Sequence, residues 1–361
     1  MSGSSPMLTD ILRQPEVLHG LLARRAAFCE LGRAHLVPGP GGRVFAFGCG
    51  DGWFAARAVA AIAGRFVQPA TSLEMVLGGG FSHADRAVAI SLSGSVDRTN
   101  AAAGRVVQEG GICLALTHEH GGALGRIAGQ VAPLRVPEVA QFLTGTTRYS
   151  ATVLGLMMLL EGAQGGCATA SAQMQAFVEE QLPSILTQSL AVCRDVCPGL
   201  APGISGIRLL GGGAEWATAD YGAAKMVKIV DLPCWSGEIE EFAHSQFWGA
   251  RRQDLVVLLA GGARQAALAE NTAQALAACG MACLAVETAG VAVPSAHIRL
   301  SLPAVPAFLA PLAVAAPLQL LAYFMSLATG GAPDMPGDQG DPSRFRTAQL
   351  LSRTSELAPA A

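Results

Sequence analysis

The chain contains its own pattern twice, and that repeat limits the folds open to it. Gly48-x-Gly50-x-x-Trp53-x-x-Ala56 recurs as Gly211-x-Gly213-x-x-Trp216-x-x-Ala219, each copy following a short apolar run, at residues 43–47 and 207–210. Further on, Gly111-Ile-Cys-Leu-Ala-Leu116 is echoed by Met281-Ala-Cys-Leu-Ala-Val286, and residues 87–91 by 255–259. A pattern that returns along the chain marks a duplicated supersecondary unit. Within the first copy, strand-like runs at 43–47, 87–91, 112–117 and near 131–135 alternate with helical stretches at 53–63, 97–108 and 151–160. That alternation predicts an α/β fold: a parallel sheet with helices on both faces, built twice. The expected divisions are an N-terminal helical segment (1–37), a first domain (38–166), a connecting helix and Pro-Gly linker (167–203), a second domain (204–330) and a tail (331–361).

Composition narrows the class. The 361 residues suffice for two cores, and 51% hydrophobic against 14% charged residues describes a packed chain rather than a disordered one. A formal net charge of -3 with no block of Lys or Arg supplies no footprint for nucleic acid. The nine cysteines are odd in number, scattered and set in apolar stretches, so they read as reduced, buried thiols. Residues 1–22 carry Asp10, Arg13 and Glu16 and no apolar core of the signal-peptide kind, which predicts a cytoplasmic protein. Residues 300–333 hold no formal charge and exceed the roughly 20 residues of a membrane span, but Pro303, Pro306, Pro311 and Pro317 would break a lone helix in lipid. The expectation is a buried helix beginning near Pro317, with no membrane partner.

The residues that carry chemistry lie mostly at strand ends. Ser91-Leu92-Ser93-Gly94 follows an apolar run and leads into a helix, which gathers hydroxyls and free backbone N–H groups where the helix dipole favours an anion. The alternative use of such a turn is that Ser95 and Asp97 merely cap the helix. In the second half its place is taken by Ala260-Gly261-Gly262-Ala263, which has no hydroxyl, so one anion site per chain is expected. Gly48 to Gly52 is a weaker signal: Trp53 stands where a dinucleotide fingerprint needs its third glycine, and no acidic residue is placed to hold a ribose. No nicotinamide cofactor is expected. His118-Glu119-His120 lies in a loop after a strand, where polar residues are ordinary, and is not read as a metal pair.

Together, Gly48-Cys49-Gly50, Ser91-x-Ser93-Gly94, and Pro137-Glu138 ahead of Thr146-Thr147-Arg148 resemble the first domain of a double-SIS (sugar isomerase) protein. The likeness extends over about residues 43–323 and is similar to the isomerase half of glucosamine-6-phosphate synthase and to related phosphosugar isomerases, deaminases and deglycases. It implies two tandem SIS domains, each a flavodoxin-like parallel sheet. It also implies a phosphate held at Ser91, Leu92, Ser93, Gly94 and Ser95 with Gly50, Asp51 and Gly52, and a sugar contact at Thr146. The family's turn usually continues Glu-Thr where this chain has Ser95-Val96, a missing hydroxyl for which Thr99 is the nearest substitute. Gly222-Ala-Ala-Lys225 resembles the family's Glu-Gly-Ala-Leu-Lys helix, which makes Lys225 a ligand contact. Glu241-Phe-Ala-His244 falls where the family has Glu-Leu-Lys-His-Gly-Pro, which puts His244 on the histidine that opens the sugar ring, with Glu241 beside it.

The departure from the family is Lys228, which stands where aldose-ketose isomerases carry the glutamate that shuttles a proton between C1 and C2. A cationic lysine cannot do that work. Lys228 acts as a base of lowered pKa, binds an anion, forms an imine or is a solvated cation; alternatively Glu238, Glu240 or Glu241 supplies the carboxylate. The synthase's C-terminal catalytic lysine has no counterpart after Pro317-Leu-Gln-Leu-Leu-Ala-Tyr323, and Arg344 and Arg346 of the tail are either anion contacts or solvated. The expected ligand is a phosphorylated sugar, bound by a homodimer with sites between subunits. The expected reaction is acid-base chemistry at C1/C2; a non-catalytic sugar-phosphate sensor and a diverged enzyme of specialised metabolism are the alternatives.

Overall fold

Two five-stranded parallel sheets carry the two copies of the repeat. The computed structural model describes residues 5–119, 122–141, 143–166, 168–288 and 290–335, with the isolated positions 343, 347 and 351. The first sheet contains β1 (Val44–Gly48), β2 (Gln68–Thr71), β3 (Arg86–Ile90), β4 (Ile112–Thr117) and β5 (Val131–Pro133), in the order β2-β1-β3-β4-β5. The second contains β6 (Gly206–Gly211), β7 (Cys234–Glu238), β8 (Asp254–Ala260), β9 (Ala282–Thr288) and β10 (Ile298–Leu302), in the corresponding order β7-β6-β8-β9-β10. Both have the flavodoxin-like order, in which the winding direction reverses between the first and third strands. β1 and β8 are buried along their whole lengths, which is why they read as unbroken apolar runs rather than as alternating ones. The helix Asp97–Gln108 buries Thr99, Ala102, Ala103 and Val106, a single stripe at helical spacing, against a core that includes Phe45, Phe47 and Ala89. Full burial of a side chain such as Phe47 is worth about 1.5–3 kcal/mol.

The register refines the internal alignment. Phe47 pairs with Ala89 and Leu210 with Leu258, so with Gly48 matched to Gly211, residues 87–91 answer 256–260, one place beyond the strand match read from sequence. Ser91 therefore corresponds to Ala260 in the alignment of the two halves. Asp85, just before β3, corresponds to Asp254, and each holds an arginine: Arg43 Nε donates to Asp85 at 3.0 Å and Arg208 Nε to Asp254 at 2.8 Å.

The chain forms two units that interleave in sequence. One takes Arg24–Val136 and Leu154–Gly166, and so holds the first sheet. The other takes the N-terminal segment up to Ala23, Pro137–Val153 and the stretch from residue 168 to 335, with the second sheet. In the first-sheet unit, the helices Arg25–His35 and Thr147–Ala163 approach backbone to backbone: a Cβ on Gly162 would lie 2.0 Å from the Cys29 carbonyl oxygen and one on Gly32 would lie 1.9 Å from that of Leu159. Gly162→Ala should therefore force the helices apart and lower the unfolding free energy by about 1–3 kcal/mol in denaturant titration.

In the other unit, the apolar C-terminal helix runs Ala310–Ala328, starting seven residues earlier than Pro317 and carrying that proline inside it. Pro311 occupies the first turn, where a missing N–H costs nothing, and the helix is buried against the helices Leu182–Leu200 and Ala214–Ile229. By length and composition it would cross a membrane, but 89% of its most apolar window is buried inside the protein. The described cysteines are free. Burial pushes the thiols of Cys113, Cys197, Cys234 and Cys283 up to about 12. Cys49 and Cys279 depart from the expected pattern and are exposed; Cys167 lies outside the described residues.

Candidate functional site

In open parallel sheets, ligands settle outside the carboxyl ends of the strands where the winding reverses. In the first sheet that point lies between β1 and β3, and the turns leaving these strands are Cys49–Gly52 and Ser91–Gly94. The sequence-predicted residues Gly50, Asp51, Gly52, Ser91, Leu92, Ser93, Gly94, Ser95 and Thr99 are thus brought together by one sheet edge. No side chain grows from its floor: a Cβ on Gly48 or Gly52 would come within 2.7 or 2.8 Å of the Ile90 carbonyl oxygen.

The Ser91 turn is held from below. Gly94 turns it at φ +63°, and Leu124 N donates to its carbonyl at 3.0 Å. The Leu92 carbonyl accepts from Thr117 Oγ1 at 3.1 Å and His118 N at 3.0 Å. Ser95 Oγ donates to Ser93 Oγ at 2.9 Å, and both residues are exposed. Ser91 Oγ is buried with no partner among the described residues. An unmet buried hydroxyl is costly unless something completes it. The helix Asp97–Gln108 that follows has Val96 at its N-cap and no side-chain cap, so neither Ser95 nor Asp97 closes it. An uncapped helix start with an orphan hydroxyl beneath it is suited to an anion.

Thr99 is differently employed: its hydroxyl shares a 2.9 Å bond with Ser72 and sits 3.7 Å from the Cys49 sulfur, which ties the helix to its neighbours. Thr117 was not singled out by sequence reasoning. A signal existed in the repeat, since Thr288 at the end of β9 donates to the Gly261 carbonyl at 3.0 Å and braces the second turn in the same way.

The remaining predicted residues belong to the other unit. Thr146 is buried, and its hydroxyl donates to the Asp10 carboxylate, which also accepts from Thr147 N at 3.1 Å and Arg13 Nε at 3.1 Å. Lys225 is 1% exposed and lies 5.0 Å above the Tyr221 ring, a cation–π arrangement. Tyr221 stacks on Tyr149 at 3.6 Å, donates to the Gly145 carbonyl at 2.9 Å and accepts from Gln319 Nε2 at 3.0 Å. Tyr221 therefore links the Lys225 helix to the strand-free loop before Thr146. Asp10, Tyr221 and Gln319 are polar anchors that sequence reasoning did not single out, because their partners lie far along the chain.

Lys228 is exposed on the helix Ala214–Ile229. Glu241 and His244 are exposed on the short helix Ile239–His244. Glu238 caps that helix, accepting from the backbone N–H groups of Glu240 and Glu241 at 2.8 and 2.9 Å, so its carboxylate is already engaged. Among the described residues, no cluster of metal-ligating side chains is present. His120, Arg344 and Arg346 lie outside the described residues.

No protein-family model matches the chain, and no curated protein matches it. Solved structures do. The C-terminal domain of glucosamine-fructose-6-phosphate aminotransferase from Francisella tularensis is 15% identical, superposes with a TM-score of 0.79, and the match covers 93% of this chain and 99% of that one. Glucosamine-6-phosphate deaminase from Thermotoga maritima is 16% identical, with a TM-score of 0.74 over 92% and 98% of the two chains. Tagatose-6-phosphate ketose/aldose isomerase from Escherichia coli is 18% identical, with a TM-score of 0.74 over 94% and 97%. With neighbours of this kind along nearly its whole length, the chain has the fold of two tandem SIS domains.

Proposed function

We propose that this protein is an enzyme that binds a phosphorylated sugar or amino sugar and moves protons at C1 and C2, as an isomerase or deaminase. The observation that carries the reading is the first switch point: glycine-floored, bordered by exposed Ser93 and Ser95, and left with an unpartnered Ser91 hydroxyl beneath an uncapped helix start. It is the kind of place that takes a phosphate. His244 is proposed to open the sugar ring, Lys225 to bind and polarise the sugar, and Glu241 to carry the proton that a glutamate at position 228 would otherwise move. The proposed working form is a homodimer, an expectation from resemblance that sedimentation of the purified protein tests.

The test is incubation with a panel of hexose phosphates and amino-sugar phosphates in deuterated water while C2 is followed by NMR. Deuterium entering at C2 is the expected result. A second reading, a sugar-phosphate sensor without turnover, is favoured by one observation, the exposed Lys228 in place of a carboxylate. It predicts ligand-dependent thermal stabilisation with no exchange. Under either reading Ser91→Ala should weaken binding of the phosphorylated sugar by about tenfold, the worth of one hydrogen bond to a charged group, and leave binding of the unphosphorylated sugar unchanged in calorimetry.

A further inference from the structure

The second sheet has the same switch point, between β6 and β8, and there the space is occupied. Gly52 of the first half is matched by Glu215 of the second, through the aligned Gly48/Gly211 and Trp53/Trp216. Glu215 is 6% exposed, on the first turn of the helix Ala214–Ile229. Its side chain lies across the turn after β8: a Cβ on Gly261 would stand 2.0 Å from its Oε1 and 2.8 Å from its Cδ. Only glycine at 261 leaves room for the carboxyl. Gln265, on the helix Ala263–Ala278, donates from Nε2 to Glu215 Oε2 at 3.4 Å and to the Gly212 carbonyl at 3.1 Å, bridging both turns. The scaffold beneath is otherwise that of the first half, with Thr288 bracing the Gly261 carbonyl as Thr117 braces that of Leu92.

We propose that Glu215 is a built-in occupant of the second switch point: its carboxyl fills the place of a phosphate-sized anion and shuts a latent anion site, which limits the chain to one. The loss of hydroxyls at Ala260 and Gly262 alone would leave glycine-lined turns and two helix starts facing the space, Gly213 and Gly262 both lacking a side-chain cap interaction. The Glu215 carboxyl, set there by the first turn of its own helix, takes the volume that an anion from solution would need. The inference goes beyond the sugar-phosphate reading and does not require it.

The test uses the full chain in a Ser91→Ala/Ser93→Ala background, which disables the first turn, with inorganic phosphate as the probe in thermal-shift and calorimetric titrations. Glu215→Gly, which copies Gly52, is expected to raise phosphate affinity by at least about tenfold over that background. Glu215→Ala, which keeps helix propensity, should do the same and serves if glycine loosens the helix start. Glu215→Gln retains the side-chain volume and should leave affinity at the background level. Folded Glu215→Gly and Glu215→Ala proteins whose phosphate affinity is unchanged would overturn the proposal, as would a gain in Glu215→Gln equal to that in Glu215→Gly. Comparing the wild type with the Ser91→Ala/Ser93→Ala background reads the first site separately, so failure of one reading is distinguishable from failure of the other.

Discussion

Under the proposed function, Lys225→Met should lower kcat for the sugar phosphate by at least about 100-fold while the protein stays folded. Methionine matches the length of the lysine stem and can lie on Tyr221 as the stem does, so the packing around the Tyr221–Tyr149 stack survives. A lysine kept only for structure would show the opposite pattern, a loss of stability with turnover intact. Steady-state kinetics and thermal denaturation of the same preparation separate the two. In the proposed reaction, the buried ammonium would stabilise negative charge developing on a sugar oxygen.

The second large effect is on stability. Asp85 is 2% exposed, and its carboxylate accepts from Arg43 Nε and Arg43 N, from Ser82 N at 2.8 Å and from Ser82 Oγ at 3.1 Å. Asp85→Ala should cost about 3–4 kcal/mol in denaturant titration at neutral pH, because it strands these donors at the start of the first sheet. The Arg43 guanidinium holds the Asp85 carboxyl well below the usual carboxylate range, with the Arg43 and Ser82 amides adding to it against the opposing effect of burial. A carboxyl whose pKa is depressed on folding stabilises the native state fully above its unfolded pKa, about 3.9, and progressively less as pH falls toward the native value. The stability gap between wild type and Asp85→Asn should accordingly be constant near neutrality and shrink as the pH drops below about 4. A gap that widens on acidification would contradict the assignment.

Glu215 behaves in the reverse sense. Burial pushes its carboxyl up, opposed by its own backbone amide and by Gln265. Its ionised form therefore weighs against folding as pH rises through the native value, whereas Asp85 in the equivalent half of the molecule supports folding over that range. The two carboxylates thus respond to pH in opposite directions, because Asp85 has an arginine to offset its burial and Glu215 has only its own backbone amide and the Gln265 carboxamide.

What the sequence determined by itself is the part written in local order. Apolar runs of strand length, the recurrence of Gly-x-Gly-x-x-Trp, and the Ser91 turn between a strand and a helix are short-range signals, and short-range signals select secondary structure and repeat number directly. They were sufficient for the two α/β sheets and for grouping Gly50–Gly52 with Ser91–Ser95, since strands aligned in parallel must bring their carboxyl-end turns to one edge. Only the tertiary structure decided how those residues are used. Thr99 and Thr146 have the right chemistry for a ligand, yet Ser72 and Asp10, far off in sequence, take their hydroxyls. Pro317 looked like a helix start because a proline breaks a lone helix; it lies inside one because burial on neighbouring helices outweighs a single missing hydrogen bond. Whether a glycine-lined turn is open or filled depends on a side chain arriving from a neighbouring element, and for the second turn that side chain is Glu215, from the start of the helix Ala214–Ile229. Hydrogen-bond partners and occupied volume are properties of distant residues meeting in space, and periodicity does not record them.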